Sequence, residues 1–137
     1  FKALLPDLPN IAFSDSRQEP TFEFLKSIDA LLSGNSGIHL EAVLLNVWSV
    51  YLNMNRNEQL HDYYGFIEKG LVEEATSYNE LHRLLTQNLQ SKPEVYLRAK
   101  YFNATVGTEY DGKSGELALQ CIREFILNSS DKAGSQA

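Results

Sequence analysis

The sequence predicts an all-α fold, a compact bundle of about six helices around a central apolar helix at 39–54. Three observations predict it. Apolar residues recur three and four apart through most of 20–128. Two Ser-x-x-Glu boxes, Ser77 to Glu80 and Ser91 to Glu94, mark helix starts. The stretch HLEAVLLNVWSVYLNM (39–54) is apolar on most of its circumference, as a helix with neighbours on several sides must be.

The elements follow in order. Residues 1–19 form an extended lead-in, because Pro6 and Pro9 break helix and SDSRQE is polar. Pro20 opens the first helix and Gly34 closes it, with Phe24, Leu25, Ile28, Leu31 and Leu32 as the buried stripe. The central helix carries Leu40, Val43, Leu44, Val47, Trp48 and Tyr51, widened by Ala42, Leu45, Val50 and Leu52. A third helix over 57–75 buries Leu60, Tyr63, Tyr64, Ile67 and Leu71. Its other face is acidic, with Glu58, Asp62, Glu68, Glu73 and Glu74. Ser77 caps a fourth helix that buries Leu81, Leu84, Leu85 and Leu89. Ser91 opens a fifth helix, with Pro93 tolerated in its first turn and Gly107 as its stop after Val106. GTEYDGKSG is a loop. Ser114 caps the last helix, whose stripe is Leu117, Cys121, Ile122, Phe125 and Ile126. The single helical domain thus spans 20–128, and 129–137 is a flexible tail.

Bulk properties narrow the class. A length of 137 residues suits one domain, and 43% hydrophobic with 22% charged residues is ordinary globular usage. A net charge of −6 argues against a surface that is basic all over, and so against indiscriminate nucleic-acid binding. The lone cysteine, Cys121, excludes an internal disulfide, which points to a reducing compartment and a cytoplasmic location. Its setting, LALQCIREFIL, reads as a small core residue. No apolar run approaches the ~20 residues of a membrane span, so no membrane partner is expected. The opening FKALLPDLPN lacks a signal peptide's apolar stretch, and the missing Met suggests a processed or excised fragment. Asn103-Ala-Thr105 and Asn128-Ser-Ser130 match the glycosylation triplet, a pattern common by chance.

Signals for chemistry are sparse. Glu58 and His61 form one Glu-x-x-His unit, where a di-iron bundle needs two such units and two further glutamates. His39 and His82 have no partner at ligand spacing, so neither metal nor cofactor is expected. SGNSG (33–37) precedes a helix but lacks the Lys-Ser/Thr of a phosphate-binding loop. No Gly-x-Ser-x-Gly occurs, and no Cys, His and acid recur in a nucleophile pattern, so no catalytic residue is assigned.

The stretch TSYNELHRLLTQNLQSKPEVYLRAK (76–100) is the most basic part of an acidic chain. Leu81-x-x-x-Leu85 leads to SKPEVYL, with Pro93, Tyr96 and Leu97 in sequence. This pattern resembles in part the DNA-binding domain of AraC/XylS-type regulators, with FIEKGL (66–71) as a lead-in and SGELALQC (114–121) as the opening of a second helix-turn-helix. The resemblance implies a duplex-binding regulator built on a helix-turn-helix-like segment at 66–106. The chain departs from it by lacking the glycine of the turn and a second recognition helix after Cys121.

The reading preferred here is a non-catalytic helical protein-interaction or regulatory module. Aromatic residues and Arg anchor interfaces, so Arg83, Lys92, Tyr96, Arg98, Lys100 and Tyr101 are the expected partner-binding residues. The acidic third helix is their natural complement, which allows self-association. The rivals are the DNA-binding regulator and a carrier or enzyme with an apolar pocket near Trp48 and Tyr63.

Overall fold

Between Ala30 and Ala75 the chain builds a parallel sheet where the sequence predicts helix. The computed structural model describes residues 10–13, 15, 17–54 and 61–134. Three strands, β1 (Ala30–Ser33), β2 (Trp48–Leu52) and β3 (Glu73–Ala75), pair in the order β1-β2-β3. Both pairings are parallel, with Leu32 opposite Val50 and Leu52 opposite Ala75. The fold is therefore mixed α/β, and the all-α bundle is overturned.

The central apolar helix at 39–54 is two elements. Helix α2 (Ile38–Leu44) ends at Leu45, and strand β2 begins three residues later. Asn46 makes the corner, with φ of 58°, a left-handed conformation that Asn tolerates better than most residues. Its side chain holds the corner in place. Oδ1 accepts from the Val95 and Tyr96 N–H groups at 2.9 and 3.1 Å, and Nδ2 donates to Glu94 at 2.8 Å. Beyond the corner, Trp48, Val50 and Tyr51 are aromatic or β-branched and suit a strand. Trp48 through Tyr51 are all buried, as in a strand covered on both faces. A short apolar run buried all round reads the same as helix or as central strand.

The first predicted helix also splits. Helix α1 covers only Thr21–Lys26, with Pro20 as its N-cap, and Ala30–Ser33 becomes β1. The Ser27 hydroxyl donates to the Phe24 carbonyl at 2.7 Å where α1 ends. Within the predicted third helix, 61–72 forms turns and Glu73–Ala75 is the edge strand. Asp62, with φ of 48°, accepts the Ile67 and Glu68 N–H groups at 3.0 and 2.9 Å. Tyr63 and Tyr64 are exposed, while Phe66, Leu71 and Val72 are buried. Glu58 and Leu60 lie outside the described residues.

Helix α3 (Tyr78–Gln90) starts at the Ser77 cap, whose Oγ accepts the Glu80 N–H at 3.3 Å. The Glu80 carboxylate accepts from the Thr76 N–H and hydroxyl at 2.9 and 2.7 Å. The predicted fifth helix shrinks to a 3-10 helix over Tyr96–Tyr101. Pro93 disfavours helical backbone at Lys92, and Asn46 takes the N–H groups of Val95 and Tyr96. Helix α4 (Ser114–Gly134) is long and mostly exposed. Its predicted buried stripe is not buried. Cys121 is exposed rather than a core residue, and the helix runs through most of the predicted tail. Residues 1–9 of the predicted lead-in and 135–137 of the tail lie outside the described residues.

The main core gathers Val43, Trp48, Val50, Leu71, Leu84, Val95 and Val106 around β2. A smaller cluster, Leu25, Leu31, Ala42 and Val47, joins α1, β1 and α2. Among the described residues no helix is long and apolar enough to cross a membrane.

Candidate functional site

The six residues expected to bind a partner do not share one fate. Arg83 is exposed on α3 and donates to Gln87 Oε1 at 3.0 Å. Lys92 lies 3.5 Å from Asp29, in the turn between α1 and β1. Tyr96 gives its hydroxyl proton to Asp111, which raises the phenol's pKa and lowers the carboxyl's. Arg98 donates to Glu73 Oε2 at 2.9 Å, on the same oxygen that accepts the Trp48 indole N–H at 2.8 Å. Part of the acidic face that was to complement the basic one therefore meets it inside the chain. Lys100 is exposed. Tyr101 is 67% exposed, with the Lys69 ammonium 5.1 Å from its ring centroid.

Two polar constellations have sequence separations that hid them. His39, in the first turn of α2, places Nδ1 2.6 Å from Ser49 Oγ and Nε2 2.7 Å from the Gly34 carbonyl. The carbonyl can only accept, so Nε2 carries the proton and Ser49 donates to Nδ1. Burial lowers the imidazole pKa and keeps it neutral. The pair has the order of a nucleophile and its base. His39 and Ser49 are nonetheless fully buried, so the contact ties α2 and the end of β1 to β2.

The second constellation sits at the carboxyl ends of β2 and β3, where open parallel sheets place their ligands. Glu74 Oε1 accepts from Asn53 Nδ2 at 2.8 Å and lies 2.9 Å from His61 Nε2. The Tyr51 ring meets the His61 ring edge to face, with centroids 6.2 Å apart. The acid oriented on His61 is Glu74, thirteen residues away, and no motif signals it. Among the described residues no three His, Cys, Asp or Glu side chains gather as a metal site. An open cleft near the start of the described chain, lined by Phe13, Glu19, Pro20 and Phe24 among others, includes no residue of either constellation.

Helix α4 carries an exposed apolar face. At 100° per residue, Ala118, Leu119, Cys121, Ile122, Phe125 and Ile126 fall on one arc of about 160°. Glu116, Gln120, Arg123 and Glu124 fall outside it. Leu119, Ile122, Phe125 and Ile126 are 54%, 56%, 75% and 56% exposed.

No protein-family model matches the chain, and no curated protein or solved structure does. The helix-turn-helix resemblance finds no support in the geometry. Its second helix is the short 3-10 helix, and Arg98 on it is committed to Glu73. The sequence stripe on α4 was visible as an amphipathic pattern. Which side of it meets water was not.

Proposed function

We propose that this chain is a non-catalytic binding module that engages another protein through the apolar arc of α4. The observation that carries this reading is the exposure of Leu119, Ile122, Phe125 and Ile126 along one side of the 21-residue helix. Contiguous exposed apolar patches, unlike singly scattered apolar residues, mark interaction surfaces. An amphipathic helix offers its anchors to a partner at such spacing.

A fluorescent apolar dye tests the reading at a protein concentration of about 1 µM. The intact chain brightens the dye, and Ile122→Asp removes most of that signal. Buried Trp48 emission stays unchanged in the variant, showing that the fold is intact. No brightening by the intact chain, or brightening that survives Ile122→Asp, overturns the reading.

A further inference from the structure

We infer that the protein engaged by α4 is a second copy of this chain, paired helix against helix in antiparallel orientation. The inference rests on the binding reading above and adds the identity of the occupant.

The register of α4 fits such a pairing. In a heptad frame, Leu119 and Ile126 take the first core position, and Gly115 and Ile122 the second. Antiparallel pairing sets first-position residues of one helix against second-position residues of the other. Leu119 then meets Ile122 of the copy, and Ile126 meets Gly115 of the copy. The two-fold axis repeats each contact, so four core layers form from four residues.

Both flanks of that seam are complementary in the same register. On one side, Phe125 falls opposite Ala118 of the copy, the largest apolar side chain of the arc against the smallest. On the other, Glu116 falls opposite Arg123 of the copy, giving two ion pairs by symmetry. Both residues are exposed. Parallel pairing sets Leu119 on Leu119 of the copy and Ile122 on Ile122. It leaves Glu116 and Arg123 facing Ala118 and Phe125 positions, where no charge answers them. The charge pattern thus selects the antiparallel mate.

The seam is short. About 12 residues of a helix that rises ~1.5 Å per residue span roughly 18 Å. Such a contact buries less than the ~1,200–2,000 Å² of a stable standard interface. Association is therefore reversible, with a dissociation constant on the order of tens of µM.

Sedimentation from about 1 to 500 µM reads the association. The intact chain passes from monomer to dimer over this range, and its dye signal per chain falls as it does so. Glu116→Arg and Arg123→Glu each weaken the dimer about tenfold, because each sets like charges opposite one another twice. The double variant restores affinity to within about twofold. Ile122→Asp leaves only monomer. Far-UV circular dichroism and Trp48 emission confirm that each variant folds. A dimer indifferent to both charge reversals, or a double variant no better than the singles, overturns the antiparallel pairing. A chain monomeric throughout that still brightens the dye overturns self-pairing and leaves the binding face standing. A chain monomeric throughout that does not brighten the dye overturns both.

Discussion

Ser49 donates its hydroxyl proton to His39 Nδ1 at 2.6 Å, and neither residue touches solvent. The contact joins helix α2 to the middle strand. It leaves His39 with both ring nitrogens satisfied, the second through the Gly34 carbonyl at 2.7 Å.

That arrangement makes stability depend on pH in a definite direction. Burial lowers the folded-state pKa of His39 below its ordinary 6.5. Above that value both the folded and unfolded chains carry a neutral ring, and the contribution is complete. As pH falls through 6.5 the unfolded chain takes up the proton first, and stability is lost until the folded-state pKa is reached. The slope cannot exceed about 1.4 kcal/mol per pH unit for one proton. Urea midpoints followed by Trp48 emission should fall between pH 7 and 5 in the intact chain, and fall less in His39→Gln. Equal slopes in the two chains would refute the assignment.

Glu73 bridges the sheet edge and the 3-10 helix by receiving Trp48 and Arg98 on one oxygen. Glu73→Gln retains an acceptor for the indole and loses only a half-exposed ion pair, so it should cost under about 1 kcal/mol. Glu73→Ala leaves the indole N–H of a buried ring without an acceptor and should cost about 1–3 kcal/mol. Only the second should shift Trp48 emission. Chemical denaturation of the two variants side by side separates the contributions.

Gly107 has φ of +68°, and a Cβ there would lie 2.9 Å from Leu97 Cδ2. Gly112 has φ of +74° with nothing within 4 Å of such a Cβ. Both alanine substitutions carry the left-handed penalty of about 1–2 kcal/mol. Gly107→Ala should lower the melting temperature further than Gly112→Ala. Adding Leu97→Ala should narrow the gap between them, since it removes the obstructing methyl. Equal melting temperatures for the two single variants would show that the Leu97 contact is irrelevant.

Cys121 is exposed on α4. A disulfide reagent should therefore label one thiol per chain without denaturant, at a rate within about tenfold of an unstructured peptide thiol. Labelling that waits for unfolding would return Cys121 to the core.

Helix α3 was legible because its signals are local. Ser77 and Glu80 sit three apart, and the cap needs nothing beyond them and Thr76. Gly107 takes a left-handed turn, but it does not stop a helix, since the 3-10 helix already ends at Tyr101. The alternation of apolar residues named most of the core, including Leu25, Val43, Trp48, Leu71 and Leu84. It placed Leu25, Val43 and Leu84 in helices correctly, but it did not reveal the strand that begins at Trp48. Burial on all sides erases the period that separates helix from strand, and the corner at Asn46 depends on the Val95 and Tyr96 N–H groups some fifty residues away.

The candidate site divides in the same way. The apolar arc of α4 follows from the spacing of Leu119, Ile122, Phe125 and Ile126, which any helix through them must place together. Whether the arc faces the core or water depends on what else fills the core, and Val95, Ala99, Val106 and Phe66 fill it first. Arg98 could be recognised as a cation from sequence, but Glu73 claims it only once β3 lies beside the 3-10 helix. The amino-acid order by itself settled the Ser77 cap and part of the core, including Leu25, Val43, Trp48, Leu71 and Leu84. Strand pairing, the sealed His39–Ser49 contact and the exposure of α4 required the folded chain, because each is a choice among partners distant along the backbone.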